Sequence, residues 1–264
     1  MDILVSYCED WETPLRTSKH HFIEGLAREG HRILYIETPI SLFHLILSPR
    51  HFFNKTRNKV FFRPVQVKTN IWTLSVITPI PFFKGFGTFF DSELMNTAQQ
   101  LFAYPFIKRS LKKLGFGEFH MITYLPLIYP ILSKMKPIRN LYHIVDEWRG
   151  LANLPNTVSK LIIKYFNYSD ITVVTSQPLY DRYKPFSKEI RLLRHGTDTK
   201  LFKKVFSSKV QAAKEFRKLS GNKVGYYGAL HKLDYELIFE VSTELKDLNF
   251  IFLGPLSGPQ GLKK

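Results

Sequence analysis

At 264 residues, 44% hydrophobic and 15% aromatic, the chain is long enough to bury one or two cores and too apolar to be disordered by composition. Its one cysteine, Cys8, excludes a disulfide framework and a cysteine-rich metal centre, which favours a reducing compartment. A formal charge of +16 demands anionic company, whether nucleic acid, phosphorylated substrate or acidic membrane surface.

In chain order, MDILVSY carries an acid where a secretion signal needs Lys or Arg, and it reads as a first strand. Ser18 is placed to cap a helix whose Phe22, Ile23, Leu26 and Ala27 share one face. Gly30 ends that helix and RILYIE resumes as strand, a βαβ opening. Glu37 stands where a dinucleotide site keeps its ribose-binding acid. The preceding loop, SYCEDWETPLRTS, has no glycine to admit a pyrophosphate, however, so an NAD or FAD enzyme is not expected. Neither a P-loop nor a GxSxG sequence occurs.

Residues 40–90 read as irregular, with strands near 60–67 and 71–76. Between Glu37 and Asp91 there is no acid, whereas Arg50, Lys55, Arg57, Lys59, Arg63, Lys68 and Lys84 are interleaved with Trp72 and ten phenylalanines. Lys108, Arg109, Lys112 and Lys113 add a second basic cluster on a helix at 92–114, kinked at Pro105 and stopped by Gly115. Cations beside aromatics suit single-stranded nucleic acid, whose bases stack and whose phosphates pair. They equally suit an anionic bilayer, with Phe at the headgroup boundary and each basic residue contributing roughly 1 kcal/mol. A third reading makes the phenylalanines core and the charges a solvated face. The longest apolar runs, IWTLSVITPIPFF and MITYLPLIYPIL, are broken by Pro and too short to cross a bilayer, so a cytoplasmic or peripheral protein is expected.

Strands follow at FHMITY, NLYHIV, ITVVTS and IRLLRH, with short helices near 126–134, 158–168 and 178–183. This alternation predicts an α/β fold with a mainly parallel sheet covered on both faces. Asp146 and Glu147 follow an apolar strand at its carboxyl-terminal edge, where open α/β sheets place ligands. Asp146 is the candidate electrostatic residue of that edge; its alternative is a cap for the next turn. His143, inside the strand, reads as a hydrogen-bonded core histidine. His20 and His21 lie on the first helix near the same edge.

VVTSQPLYDRY followed by RLLRHGTDTKLF resembles the end of the N-terminal domain and the interdomain crossover of GT-B glycosyltransferases. VGYYGALHKLDYELI, closing on LNFIFLGP, is similar to the opening of their nucleotide-sugar domain. Trp11 and Arg16 before the first helix, YIETP at the end of strand two and YHIVDEW at a mid-domain strand resemble the bacterial branch that includes teichuronic-acid and other cell-surface polysaccharide enzymes. At the crossover, Gly196 supplies conformational freedom and Asp198 can bond nearby backbone N–H groups to fix the turn; an ordinary strand-to-helix loop is the alternative.

The resemblance implies a Rossmann-like acceptor-side domain over residues 1–195, a crossover at 196–206 and a nucleotide-sugar-binding domain over 207–264. It implies retaining transfer from a nucleotide-diphosphate sugar, with no metal or other cofactor, to a lipid-linked or cell-surface polysaccharide acceptor. It also implies attachment to the anionic inner face of the cell membrane, nucleic acid not being expected as a partner. Retaining transfer must neutralise the departing diphosphate. Gly228 and Ala229 would supply the turn for it, Lys232 the cation and a helix at 234–246 the dipole, with Leu237, Val241 and Leu245 holding that helix on the sheet. Lys232 reads equally as a solvated loop lysine, and His231 stands where many relatives have a second cation. Trp11, Arg16 and His20 are the candidates for acceptor or phosphate contact.

Residues 207–264 hold one βαβ unit, about half of a Rossmann domain, and lack the family's paired-Glu motif. The second domain is therefore expected to be cut short and this chain by itself to be inactive. The alternative class is a non-catalytic basic protein that binds an anionic membrane surface or nucleic acid.

Overall fold

The structure, a computed structural model, describes residues 1–13, 16–82, 89–147, 156–196, 199–207, 210–211, 213–230 and 233–254. By internal contacts the chain divides into two units, Met1–Gly196 and Thr197–Lys264.

In the first unit, strand β1 (Asp2–Cys8), helix α1 (Ser18–Arg28) and strand β2 (Arg32–Glu37) form the expected βαβ opening. A short strand β3 (Ile40–Ser41) and two helices, α2 (His44–Leu47) and α3 (Pro49–Thr56), follow. Then come β4 (Val65–Lys68), β5 (Ile71–Leu74), β6 (Ile77–Thr78), the long α4 (Glu93–Leu114) and β7 (His120–Thr123). A 3-10 turn at Pro126–Ile131 leads into α5 (Leu132–Met135) and β8 (Asn140–Ile144). The unit closes with α6 (Asn156–Phe166), β9 (Ile171–Val174), α7 (Gln177–Tyr183) and β10 (Ile190–Leu192).

Eight strands form one sheet in the order β10-β9-β8-β7-β1-β2-β5-β4. Every pairing is parallel except β4 on β5. Strands buried on both sides need continuous apolar runs, and Ile33, Leu34, Tyr35 and Ile36 of β2 are all fully buried. Adjacent strand residues face opposite ways. Tyr142 packs its ring on Tyr165 and Phe166 of α6, while His143 packs on Phe22 of α1, so helices cover both faces.

Helix α1 starts one residue earlier than its expected cap: Ser18 is helical and Thr17 is the N-cap. The Thr17 N–H donates to Nδ1 of His20 at 3.2 Å, the reciprocal bond of a capping box. Helix α4 begins and ends where its signals stand. Ser92 Oγ accepts from the Met95 N–H at 3.2 Å, and Gly115 adopts φ +68°, which a side chain resists. The first half of its buried face is polar, however, before Ala103, Ile107 and Leu111 take over. Tyr7 OH donates to Gln100 Oε1, Gln100 Nε2 to Asn96 Oδ1 (3.3 Å), and Asn96 Nδ2 to the Leu127 carbonyl (3.1 Å). This relay ties the end of β1 to the 3-10 turn.

The second unit contains α8 (Thr199–Phe206), α9 (Lys214–Arg217), β11 (Asn222–Tyr227), α10 (Tyr235–Glu244) and β12 (Leu248–Leu253). Strands β11 and β12 pair in parallel, with Val224 opposite Phe250. Leu237 and Leu245 do not hold α10 on this sheet, because both are exposed. The helix turns its Ile238, Val241 and Ser242 side inward instead.

Candidate functional site

In an open parallel sheet, neighbouring strands whose connections leave in opposite directions open a crevice at their carboxyl ends. Here β1 is flanked by β2 on one side and by β7 on the other, so that crevice lies beyond Cys8 and Thr123. The loop after β1, the N-terminus of α1 and the residues after β7 and β8 surround it.

Glu9, Thr17, Lys19 and Tyr124 are brought together there. Lys19 Nζ lies 2.5 Å from Glu9 Oε2 and 5.6 Å from the Tyr124 ring centroid, and Thr17 Oγ1 donates to Glu9 Oε1. Burial by itself raises the Glu9 carboxyl, but Lys19 and the Thr17 hydrogen bond outweigh it and hold the group below the ordinary value. Tyr124 is fully buried, its hydroxyl has no hydrogen-bond partner among the described residues, and burial raises its pKa well above the usual value.

The three candidates for acceptor or phosphate contact form one cluster. Trp11 is 3% exposed and stands edge-on to Tyr35 at 5.1 Å; His20, fully buried, lies 5.3 Å from the Trp11 ring. The Arg16 guanidinium lies 4.7 Å over Trp11, donates to the Trp11 carbonyl at 3.1 Å and pairs with Glu24. Of the three, only Arg16 is exposed. His20 accepts through Nδ1, so its proton sits on Nε2, and its pKa is lowered by burial first and by Arg16 second.

Asp146 is exposed, one residue beyond buried Val145 at the end of β8. Its neighbour Glu147 instead binds α7, accepting from Arg182 and from Tyr183 OH at 3.0 Å. His143 corrects the expectation of a hydrogen-bonded core histidine. It is 5% exposed between the Phe22 and Tyr124 rings, and both ring nitrogens lack a hydrogen-bond partner among the described residues. Burial, then His195 and Lys19, push its pKa down to about 4. Glu37 is committed to structure. Its carboxylate accepts from the Trp11 N–H at 2.8 Å and Ser75 Oγ at 2.5 Å, and it pairs with Lys59.

In the second unit, Gly228 N–H donates to the Leu253 carbonyl at 2.9 Å. The ends of β11 and β12 meet so closely that a Cβ on Gly254 would stand 1.7 Å from the Gly228 carbonyl oxygen, and one on Gly228 would stand 2.8 Å from Tyr226 OH. Ala229 follows, its carbonyl 3.4 Å from that same hydroxyl. Lys232 and His231, like Asp198 at the crossover, lie outside the described residues. Asp234 caps α10 by accepting from the Leu237 N–H at 3.1 Å. That carboxylate uses one donor of the helix terminus and sets a negative charge there, so the dipole offers a phosphate less than expected.

Glu9, Thr17, Lys19 and Tyr124 were not singled out from the sequence. Among the described residues no group of three His, Cys, Asp or Glu is arranged to hold a metal ion, and no helix is long and apolar enough to cross a membrane.

No protein-family model and no curated protein matches the sequence. Among solved structures, the chain is similar to sucrose-phosphate synthase from Thermosynechococcus elongatus: 13% identity over 96% of this chain and 70% of that one, with a TM-score of 0.55. It is also similar to the E. coli trehalose-6-phosphate synthase bound with UDP-2-fluoro glucose: 11% identity over 97% of this chain and 65% of that one, with a TM-score of 0.54. This chain thus spans about two thirds of the length of each. At such identities the likeness is one of fold: the chain has the Rossmann-like α/β architecture of these GT-B glycosyltransferases.

Proposed function

We propose that this chain serves retaining glycosyl transfer, the movement of a sugar from a nucleotide-diphosphate donor to a lipid-linked or cell-surface polysaccharide acceptor at the inner face of the cell membrane, and that its 264 residues by themselves do not turn over. The observation that carries this reading is a fold likeness running through both units, over 96% of the chain, to a sugar-phosphate synthase. It is joined by the carboxyl-edge positions of Asp146 in the first unit and Gly228 in the second.

The chemistry asks for neutralisation of the diphosphate and placement of the acceptor hydroxyl. In the proposed roles, the backbone of Gly228 and Ala229 lies against the diphosphate and Lys232 supplies the cation. Arg16, stacked on Trp11 and exposed, meets acceptor or donor phosphate, while buried His20 fixes the cap of α1 beneath it. Asp146 presents an unburied carboxylate to the charge that develops at the reacting sugar. No metal is assigned a part in this scheme.

Phosphorus NMR of UDP- and GDP-sugars tests the reading. The diphosphate resonances should broaden on addition of the chain at high salt, and Lys232→Ala should abolish the effect. Broadening that is equal for both proteins and vanishes with salt would overturn the reading and support a non-catalytic basic protein, since a net charge of +16 attracts any phosphate.

A further inference from the structure

We infer that α2 and α3 form a wedge that inserts into the headgroup boundary of a bilayer carrying anionic lipid. It gives the peripheral attachment proposed above its physical element, and it stands or falls separately from sugar transfer.

Leu42, Phe43, Leu45, Ile46 and Leu47 form an almost unbroken apolar run that is exposed, Ile46 to 76%, and Phe53 on α3 adds another exposed side chain at 57%. Soluble surfaces scatter such side chains singly. The run is built on a firm base. Ile40 N–H donates to the Val76 carbonyl and Leu42 N–H to the Thr78 carbonyl, both at 2.9 Å, while buried Phe52 roots α3 in the body and Phe53 stands outside it.

The charge around the wedge selects the partner. No acid occurs between Glu37 and Asp91. Lys59 pairs with Glu37 and with Asp10 (2.9 Å), Lys55 reaches Asp10 at 3.8 Å, and Lys68 pairs with Glu24. Exposed Arg50, Arg57 and Arg63 have no acidic partner among the described residues and leave a positive rim. Apolar tips inside a cationic rim match acyl chains beneath anionic headgroups. Single-stranded nucleic acid fits less well, because the outermost side chains are mainly Leu and Ile, which do not stack bases. The Lys55 and Lys59 ion pairs to Asp10 also tether the end of α3 to the loop that carries Glu9 and Trp11, so an inserted wedge holds the crevice beside the bilayer.

The test uses Ile46→Cys labelled with an environment-sensitive fluorophore; the native thiol, Cys8, is 1% exposed and does not compete for label. Vesicles of phosphatidylcholine, with and without phosphatidylglycerol, are the probes. A blue shift and co-sedimentation with the anionic vesicles alone, weakening as salt rises, are expected. Ile46→Ser combined with Phe53→Ser should weaken binding by about tenfold or more without moving the thermal melt, because both side chains are exposed. An unshifted label, wild-type binding by the double variant, or preference for single-stranded nucleic acid over anionic vesicles at matched salt would overturn the wedge. Failure here with an intact phosphorus NMR response leaves the transfer reading standing, and the reverse holds as well.

Discussion

His143→Leu should remove a measurable part of the acid sensitivity of the first unit. The imidazole titrates near 6.5 when unfolded and at about 4 when folded, because burial disfavours its charged form. Between those values the unfolded chain binds a proton that the folded chain does not. Stability is therefore complete above about pH 6.5 and is lost as pH falls toward 4. At about 1.4 kcal/mol per pH unit the whole gap is worth roughly 3.4 kcal/mol, and about 2 kcal/mol of it is lost between pH 7.5 and 5.0. Urea unfolding at these two pH values, followed by tryptophan fluorescence, measures it. Wild type should lose about 2 kcal/mol more than His143→Leu. Carboxylates held low, such as Glu9 and Glu24, are common to both proteins and cancel. The variant should be at least as stable at pH 7.5, since leucine fills the space between Phe22 and Tyr124 without leaving two ring nitrogens unpaired. Equal pH dependence in the two proteins, or a variant weaker by more than about 1 kcal/mol at pH 7.5, would refute the reasoning.

Glu37→Gln keeps the bond from the Trp11 N–H but turns an NH2 group toward Lys59 and leaves that ammonium with Asp10 alone, at about 2–3 kcal/mol, seen as a fall in Tm of roughly 5–10 °C. Gly254→Ala drives a Cβ into the Gly228 carbonyl, and amide exchange in β11 and β12 should accelerate while that of the first unit is unchanged. Asp146→Asn, at an exposed position, should leave the thermal melt in place and, in a form of the protein that transfers sugar, lower the rate by about two orders of magnitude; near-native transfer would reduce the residue to a cap. Limited proteolysis should cut the second unit first, because Val224, Tyr227, Phe252 and Leu253 of its two-stranded sheet are exposed; early cleavage within β1, β2 or β7 would contradict this.

The regular elements were readable where one local signal decides them. RILYIE is β2 to the residue, and Ser92 and Gly115 bound α4 because capping and left-handed turns are local chemistry. Helices α2 and α3 were missed because HLILSPRHFFNKT has no sustained apolar period and its Pro49 reads as a breaker, although it sits harmlessly in the first helical turn. The polar face of α4 and the inward side of α10 were invisible for a related reason: what a helix buries is set by its partner. Asp146 could be placed at a strand end from periodicity. The crevice group could not, since Tyr124 meets Lys19 only through the pairing of β1 with β7, and no spacing within the sequence encodes that neighbourhood. Sequence also counted Lys59 and Lys68 as free positive charge, whereas the fold neutralises both.

Tyr7 has φ +26°, a backbone state that costs a bulky residue about 1–3 kcal/mol. It sits in a bulge where Val5 pairs with Tyr35 and Cys8 with Glu37, so β1 spends one residue more than β2 over the same length. That extra residue acts as a phase shift in the side-chain alternation: Tyr7 reaches α4 through Gln100, and Glu9 emerges beside Lys19. The end of β1 is consequently intolerant of length rather than of identity. Conservative replacements at Ser6 or Tyr7 leave the shift in place, but deletion of either residue would invert every side chain from Cys8 to Trp11 and dismantle the crevice with the strand still paired.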